Sequence, residues 1–501
     1  MLWQIFLIFF IVWMLTIRWR NRGKRELSKI LSNDLSALPM LGMGHHFIGT
    51  DEDRMTAIQN FGIEGIRRGG LTHIWLGNRF FCICANAEDA EFVCKNVLEK
   101  DDILKFVRNL TGNGSIFAPV SIWRPRRKVL APTFSLKNLN QFVTIFAEQS
   151  TVMINKLAEA ADRGTFSVWK YMTSYTMDAV CQTTLGVKLG TQREPDHAFL
   201  NNFAKFSELA AARTLQPWLH SEFIYKLTPY YKSFMDSING LIGYVSTIIK
   251  DKRQKIREKQ AEPETHDENG TPHIRSFLEL LIEASGGEKG YTDVELQEET
   301  MVMLLAGTDT SAVGGSFVAV MLSKYPEVQE KLYQEIRDVF GDSDRPITAE
   351  DLPRLKYLDA VVKETLRLYP PVSITARMTD KEVVLPSGLK LVPDCGIILH
   401  IWALHRNPKY WGDDADIFRP ERFFDSPPTN PVAFMPFSYG PRNCLGYQYA
   451  TMSMKTVTAA LVRRYQILPA EGHNNTKPLR VKFDIMMKHV DNYKLQLVSR
   501  K

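Results

Sequence analysis

Phe437-Ser438-Tyr439-Gly440-Pro441-Arg442-Asn443-Cys444-Leu445-Gly446 is the stretch that decides how this 501-residue chain is read. Two glycines flank a cysteine, and a helical pattern follows at once, with Tyr447, Ala450, Met454, Val457 and Leu461 on one face. Glycines at those positions let the backbone press flat against something large. The start of a helix, with Arg442 two residues before the cysteine, favours the thiolate over the thiol. Such a thiolate is a nucleophile or a metal ligand. No histidine lies close in sequence to act as its base, so a nucleophile would need a partner from elsewhere in the fold. A planar tetrapyrrole with an axial cysteine thiolate fits the pattern better.

The second informative stretch lies upstream. A helix is predicted from Asp293 to Lys324, ended by Pro326. Its centre, Val302 to Val318, is apolar on every face except for a polar island containing Thr308, Asp309, Thr310 and Ser311. An ionisable group in such a helix costs several kcal/mol unless it is paired or hydrogen-bonded. Gly307 weakens the helix by about 1 kcal/mol and predicts local opening of the backbone ladder. An opened turn beside a carboxylate and hydroxyls can hold water or a small diatomic ligand and deliver protons. The plain alternative is a helix whose threonine and serine hydroxyls bond back to their own carbonyls.

The N-terminus carries a different signal. Met1 to Ile17 holds no charge, tryptophans stand near its ends at Trp3, Trp13 and Trp19, and Arg18, Arg20, Arg22, Lys24 and Arg25 follow. At about 1.5 Å per residue this run just crosses a bilayer core. It lacks the leading charge and small-residue end of a cleaved signal peptide. The expectation is a single transmembrane anchor at 1–17, a basic linker at 18–38 and one catalytic domain at 39–501. The basic cluster keeps everything downstream cytoplasmic. The N-x-[ST] sequons beginning at Asn109, Asn113, Asn269 and Asn474 then carry no information about glycosylation.

Composition narrows the class further. At 45% hydrophobic and 24% charged the chain is neither disordered nor multi-span. A net charge of +6 over this length does not argue for nucleic acid. The six cysteines include no C-x-x-C pair, and Cys82, Cys84 and Cys94 sit among apolar residues as buried thiols do. A zinc cluster from Cys82 and Cys84 with His45 or His46 fits no familiar spacing. There is no P-loop, no G-x-G-x-x-G after a strand, no G-x-S-x-G and no H-E-x-x-H. Helical periodicity covers about 137–160 and about 223–258, and Gln260 to His273 reads as a polar loop. Short strands are predicted within Leu71–Ala85 and Val383–Leu399.

Together these stretches resemble the cytochrome P450 haem-thiolate monooxygenases. Phe437 to Gly446 matches the family's F-x-x-G-x-R-x-C-x-G at every defined position, and Ala306 to Ser311 is similar to its central-helix motif. Glu364-Thr365-Leu366-Arg367 resembles the E-x-x-R, Phe418 to Phe423 the segment whose arginine (here Arg422) joins that pair, and Trp123 to Arg127 the W-x-x-x-R. Pro370 to Arg377 resembles the strand after the E-x-x-R helix. The text around the central helix and Trp123 is closest in character to the insect members of the branch that contains fatty-acid ω-hydroxylases.

The resemblance implies a mixed α/β, predominantly α, cytochrome P450 fold behind the N-terminal anchor helix. It implies haem b with Cys444 as axial ligand to the iron, and Asp309 and Thr310 as the acid–alcohol pair that organises proton delivery. Trp123, Arg127, Arg377 and Arg442 become haem-propionate partners, and Phe437 packs near the sulfur. Glu364, Arg367 and Arg422 are structural, since a third member turns an i, i+3 pair into a buried network. The implied reaction is R–H + O₂ + two electrons + two protons giving R–OH and water. The electrons come from NADPH-cytochrome P450 reductase, with cytochrome b5 as a second donor, at the endoplasmic reticulum membrane. Basic Arg124, Arg126 and Lys128 are candidates to meet the reductase.

Two features depart from the branch. Its hydroxylases often carry, before the helix glycine, a glutamate that esterifies haem; here that position is Ala306, so no covalent link is expected. Pro125 within W-x-x-x-R is unusual, and is expected in a helix's first turn. Leu304, Leu305, Ala306, Ser373, Ile374, Thr375 and the segment from Phe106 to Phe117 imply a lipophilic substrate. Two other classes remain at this point: a haem-thiolate isomerase or dehydratase that needs no reductase, and a non-catalytic haem or lipid-binding protein. Asp309-Thr310 speaks against both.

Overall fold

A computed structural model describes residues 3–4, 12, 15–39, 41–194, 196–259, 274–472 and 477–500. Most of the predicted anchor and the predicted loop at Gln260–His273 lie outside them. The chain forms two compact units woven from non-contiguous segments. The first comprises Met1–Asp101, Val372–Ile417 and Pro428–Asn443, and the second Asp102–Pro371, Phe418–Pro427 and Cys444–Lys501.

The first unit is built on a four-stranded sheet. Strands β1 (Leu71–Leu76) and β2 (Arg79–Cys84) form an antiparallel hairpin, with Leu71 opposite Cys84. Strand β3 (Thr375–Met378) lies antiparallel to β4 (Gly396–Leu399), which runs parallel to β2, so the order across the sheet is β1-β2-β4-β3. The predicted stretch Val383–Leu399 resolves into β4 and a two-residue pair at Val383–Val384 and Lys390–Leu391. Helix α1 (Asp51–Arg67) starts from a reciprocal cap between Thr50 and Asp53, and buries Met55, Ile58 and Phe61. A Cβ on Gly62 would stand 2.6 Å from the ring of His400, so only glycine allows this approach.

The second unit is mainly helical. Helix α2 (Val120–Leu130) carries the W-x-x-x-R stretch, and α3 (Trp169–Leu185) packs along α4 (Asp293–Lys324). Helix α4 is capped reciprocally by Thr292 and Glu295 and is buried almost continuously from Ser311 to Ser323. It is long and apolar enough to cross a membrane, but most of its apolar surface is covered by protein, as in a core helix. Helices α5 (Lys356–Leu368) and α6 (Tyr447–Arg464) also pack on it. The hairpin of β5 (Val481–Asp484) and β6 (Met486–His489) turns at Ile485 in the left-handed region, φ 55°.

Several expectations change in detail. The helical pattern at 223–258 is two helices, Glu222–Lys226 and Tyr230–Lys259, because Pro229 interrupts it. Pro125 lies in the second turn of α2, not the first. Its missing N–H is tolerable there because both Pro125 and Ser121, the residue four before it, are exposed to water. Helix α4 is unbroken at Gly307. The glycine is explained by packing: a Cβ there would stand 3.1 Å from Val180 of α3.

Candidate active site

Cys444 differs from every other cysteine in the chain. Cys82, Cys84, Cys94, Cys181 and Cys395 are buried free thiols, and burial pushes each of their pKa values up. Cys444 is accessible, three residues before helix α6. Burial by the protein around it raises its thiol, against the pull of a hydrogen bond from the Gly446 N–H and the nearby Arg127 guanidinium. The Gly446 N–H and Arg127 act in the direction of the thiolate, and a coordinated metal cation would add to them. Among the described residues no group of three or more His, Cys, Asp and Glu is placed to hold a metal ion.

Arg127 and Trp123 stand one turn apart on α2, Trp123 buried and Arg127 half-buried. Burial lowers the Arg127 pKa, with Cys444 the group of opposite sign that acts on it. Arg126, between them in sequence, does something else. It is 7% exposed and reaches Glu298 at 2.8 Å, Glu299 at 3.1 Å, Glu295 at 3.5 Å and the carbonyl of Asn113 at 2.8 Å. It ties the start of α4 to the Asn113–Ser115 loop, whose backbone N–H groups donate to Glu298 and Glu299. Arg126 is thus no docking cation, whereas Arg124 and Lys128 are exposed.

The first unit holds Phe437, Arg377 and Arg442. Gly440 of the cysteine loop has φ 71°, and a Cβ on it would stand 2.5 Å from the carbonyl of Cys94. Arg442 donates through Nε to the carbonyl of Leu98, and Phe437 is half-buried. Arg377 is fully buried on β3, yet only Nη1 is used, toward Thr375 and the Ala376 carbonyl; Nε and Nη2 have no partner among the described residues. Lys100, which the sequence motifs did not single out, bonds Thr375 Oγ1 at 3.3 Å. Burial, Arg377 and Arg442 push its pKa well down. Burial lowers the Arg377 pKa as well, and raises that of the neighbouring Cys94 thiol. Orphaned guanidinium nitrogens in a buried cationic cluster are the donor set that haem propionates require.

On α4, residues 302–310 hold the partly accessible positions, including Leu305, Ala306, Asp309 and Thr310. Thr310 Oγ1 donates to the Ala306 carbonyl at 2.5 Å, the back-bonded arrangement, which leaves its lone pairs to accept. Burial raises the Asp309 carboxyl above the ordinary range, with Lys488 opposing the rise from 3.4 Å. Phe106 is buried, with the Arg213 guanidinium 4.2 Å from its ring centroid, so it is pinned from that side.

Within the second unit, Glu364 accepts from Arg367 Nε at 2.7 Å, Arg422 Nε at 2.9 Å and the Arg419 backbone N–H at 2.9 Å. All three side chains are at most 1% exposed. The structural network expected from the E-x-x-R is present.

A profile of the cytochrome P450 family matches residues 43–497. Over 461 residues the chain is 30% identical to cytochrome P450 4c21 of Blattella germanica, covering 91% of this chain and 90% of the relative. It is 30% identical over 447 residues to cytochrome P450 4V2 of Mus musculus, with 87% and 84% covered. Cytochrome P450 4d2 of Drosophila melanogaster is 30% identical over 462 residues, 90% of each chain. The match runs through the accessible cysteine, the buried glutamate–arginine network and the acid–alcohol helix, and the chain belongs to the cytochrome P450 family of haem-thiolate monooxygenases, which bind haem b through a cysteine thiolate and oxidise lipophilic substrates.

Proposed function

We propose that Cys444 is the axial ligand in this monooxygenase, and that Trp123, Arg127, Arg377 and Arg442, with Lys100 added, hold the haem propionates. The observation that carries the assignment is that Cys444 alone among the six cysteines is accessible. Phe437 packs near the sulfur. Haem, when bound, supplies the activation of O₂ and the cleavage of its O–O bond, one atom entering the substrate and the other leaving as water. Ala306 offers no carboxylate, so the haem is held without a covalent ester.

The chain's own residues then govern protons and access. Asp309 holds a proton-exchanging carboxyl beside Thr310 in the polar island at the centre of α4. The Thr310 hydroxyl, anchored on the Ala306 carbonyl, accepts hydrogen bonds at a fixed point on the partly accessible stretch of α4. Leu305 and Ala306 offer apolar surface beside it, which suits a lipophilic small molecule, whereas Leu304, expected to line the site, is buried in the core.

Electrons enter from NADPH-cytochrome P450 reductase, with cytochrome b5 as a second donor, and exposed Arg124 and Lys128 support a docking face for an acidic partner. The catalytic domain sits on the cytoplasmic side of the endoplasmic reticulum membrane. The apolar run at 1–17, in which Trp3, Val12 and Leu15 are exposed, supports an anchor. Phe223, Ile224, Leu227 and Tyr230, all exposed, support a second contact with lipid. The test is NADPH consumption with reductase present, across a panel of lipophilic ligands first screened for haem spin-state shifts. Substrate-dependent consumption with product supports the reading; none, with a ligand shown to bind, overturns it.

A further inference from the structure

The β5–β6 hairpin places a lysine where the central helix carries its acid. Lys488 Nζ lies 3.4 Å from Asp309 Oδ1 and 3.0 Å from Asp484 Oδ2. The ammonium also sits 5.3 Å from the centroid of the Trp169 ring, which itself stacks on Tyr493 at 5.2 Å. Side-chain exposure rises from 13% at Lys488 and 14% at Asp309 to 29% at Asp484, so the row leads from the helix toward solvent. Beside it, the Tyr493 hydroxyl is buried and has no hydrogen-bond partner among the described residues.

We propose that Lys488, tethered by Asp484 and Trp169, is a positioning residue that fixes the orientation and charge of Asp309 and so sets when Asp309 can give up a proton. The proposal rests on the reading of Asp309 and Thr310 as the proton-delivering pair. The groups that face Asp309 are Lys488 and Asp484 from the hairpin and Tyr493 beyond it. Their signs differ. Burial raises the carboxyl, Lys488 lowers it and Asp484 raises it. Lys488 itself is held up by the two carboxylates against its burial, so it stays charged. A lysine that only braced the hairpin would need no second anion buried on the helix.

The opposed signs make the test specific. In the resting holoenzyme, without NADPH, the protonated carboxyl of Asp309 has an infrared C=O band, identified by its loss in Asp309→Asn. Lys488→Met should move the half-protonation point of that band to a proton concentration about tenfold lower, since an opposite charge at this range shifts a carboxylate by a unit or more. Asp484→Asn should move it the other way, and Lys488→Arg should restore the wild-type midpoint. Product per NADPH near neutral pH should fall several-fold in Lys488→Met and recover in Lys488→Arg. An unmoved band, in either Lys488→Met or, where that variant loses haem, Asp484→Asn, overturns the proposal. A moved band with unchanged coupling overturns the part Lys488 plays in proton delivery. If Thr310→Ala also leaves coupling unchanged, the underlying reading of the pair falls with it, which separates the two failures.

Discussion

A single sulfur distinguishes two accounts of Cys444. As an axial ligand, its replacement by serine should abolish the thiolate signature of the carbon-monoxide-bound reduced protein, and a variant that kept the signature would move the ligand elsewhere. Thr310 poses a sharper question, because its hydroxyl is bonded to its own helix backbone. If that bond is its whole role, Thr310→Ala exchanges a threonine for the better helix former and changes stability by a few tenths of a kcal/mol. If the hydroxyl also organises protons with Asp309, the variant keeps haem and substrate but consumes NADPH with less product and more peroxide. Product and peroxide per NADPH decide between them. At this scale much was legible in the sequence. The cysteine, the acid–alcohol pair and the arginines sit in local patterns of a few residues. Lys488 and Lys100 were not legible, because each acquires its meaning from residues about 180 and 275 positions away in the chain.

At the scale of elements, the i, i+3 spacing of Glu364 and Arg367 announced a pair on one helix and the family resemblance added Arg422, but neither announced that the Arg419 backbone would also donate to Glu364. Arg422→Leu should therefore cost about 3–5 kcal/mol, since it strands part of a buried carboxylate's partners. Thermal unfolding reads this, and a loss under 1 kcal/mol would show that the network is dispensable. His400 gives the first unit a pH dependence. Its Nε2 contacts the Ile58 carbonyl at 2.8 Å and its Nδ1 accepts from the Ala403 N–H, a pairing that needs the neutral ring. Burial pushes its pKa down to about 4 from 6.5. The unfolded chain thus takes up the proton first. Stability is full above about pH 6.5 and falls as pH drops toward 4, by about 3 kcal/mol in all. His400→Gln should remove one proton from the stability–pH slope in that window. An unchanged slope would place the acid sensitivity in another group.

For the whole molecule, the question is where the proposed anchor stops and the fold begins. The basic stretch at 18–38 reads in sequence as a linker, because its charges mask the few apolar residues that matter. In the structure Arg22–Ile30 is a helix whose end is docked on the first unit: Leu27 and Leu31 are buried, and Ser28 Oγ bonds His73 Nε2 at 2.9 Å and accepts from Trp75 Nε1 at 3.2 Å. A Cβ on Gly23 would lie 3.1 Å from Val392, so the contact begins early in that helix. Two truncations should therefore part company. Removal of residues 1–21 takes the apolar run and leaves the docked turn, so the protein should leave the membrane fraction with haem and unfolding temperature nearly intact. Some residual association is expected through Phe223, Ile224 and Leu227. Removal of residues 1–31 also strips two buried leucines and the partner of His73 and Trp75. Each buried leucine is worth about 1.5–3 kcal/mol, and unfolding should shift down by several degrees. Equal unfolding temperatures for the two truncations would return Arg22–Ile30 to the role of a passive linker, and haem loss from the shorter truncation would make the anchor part of the fold.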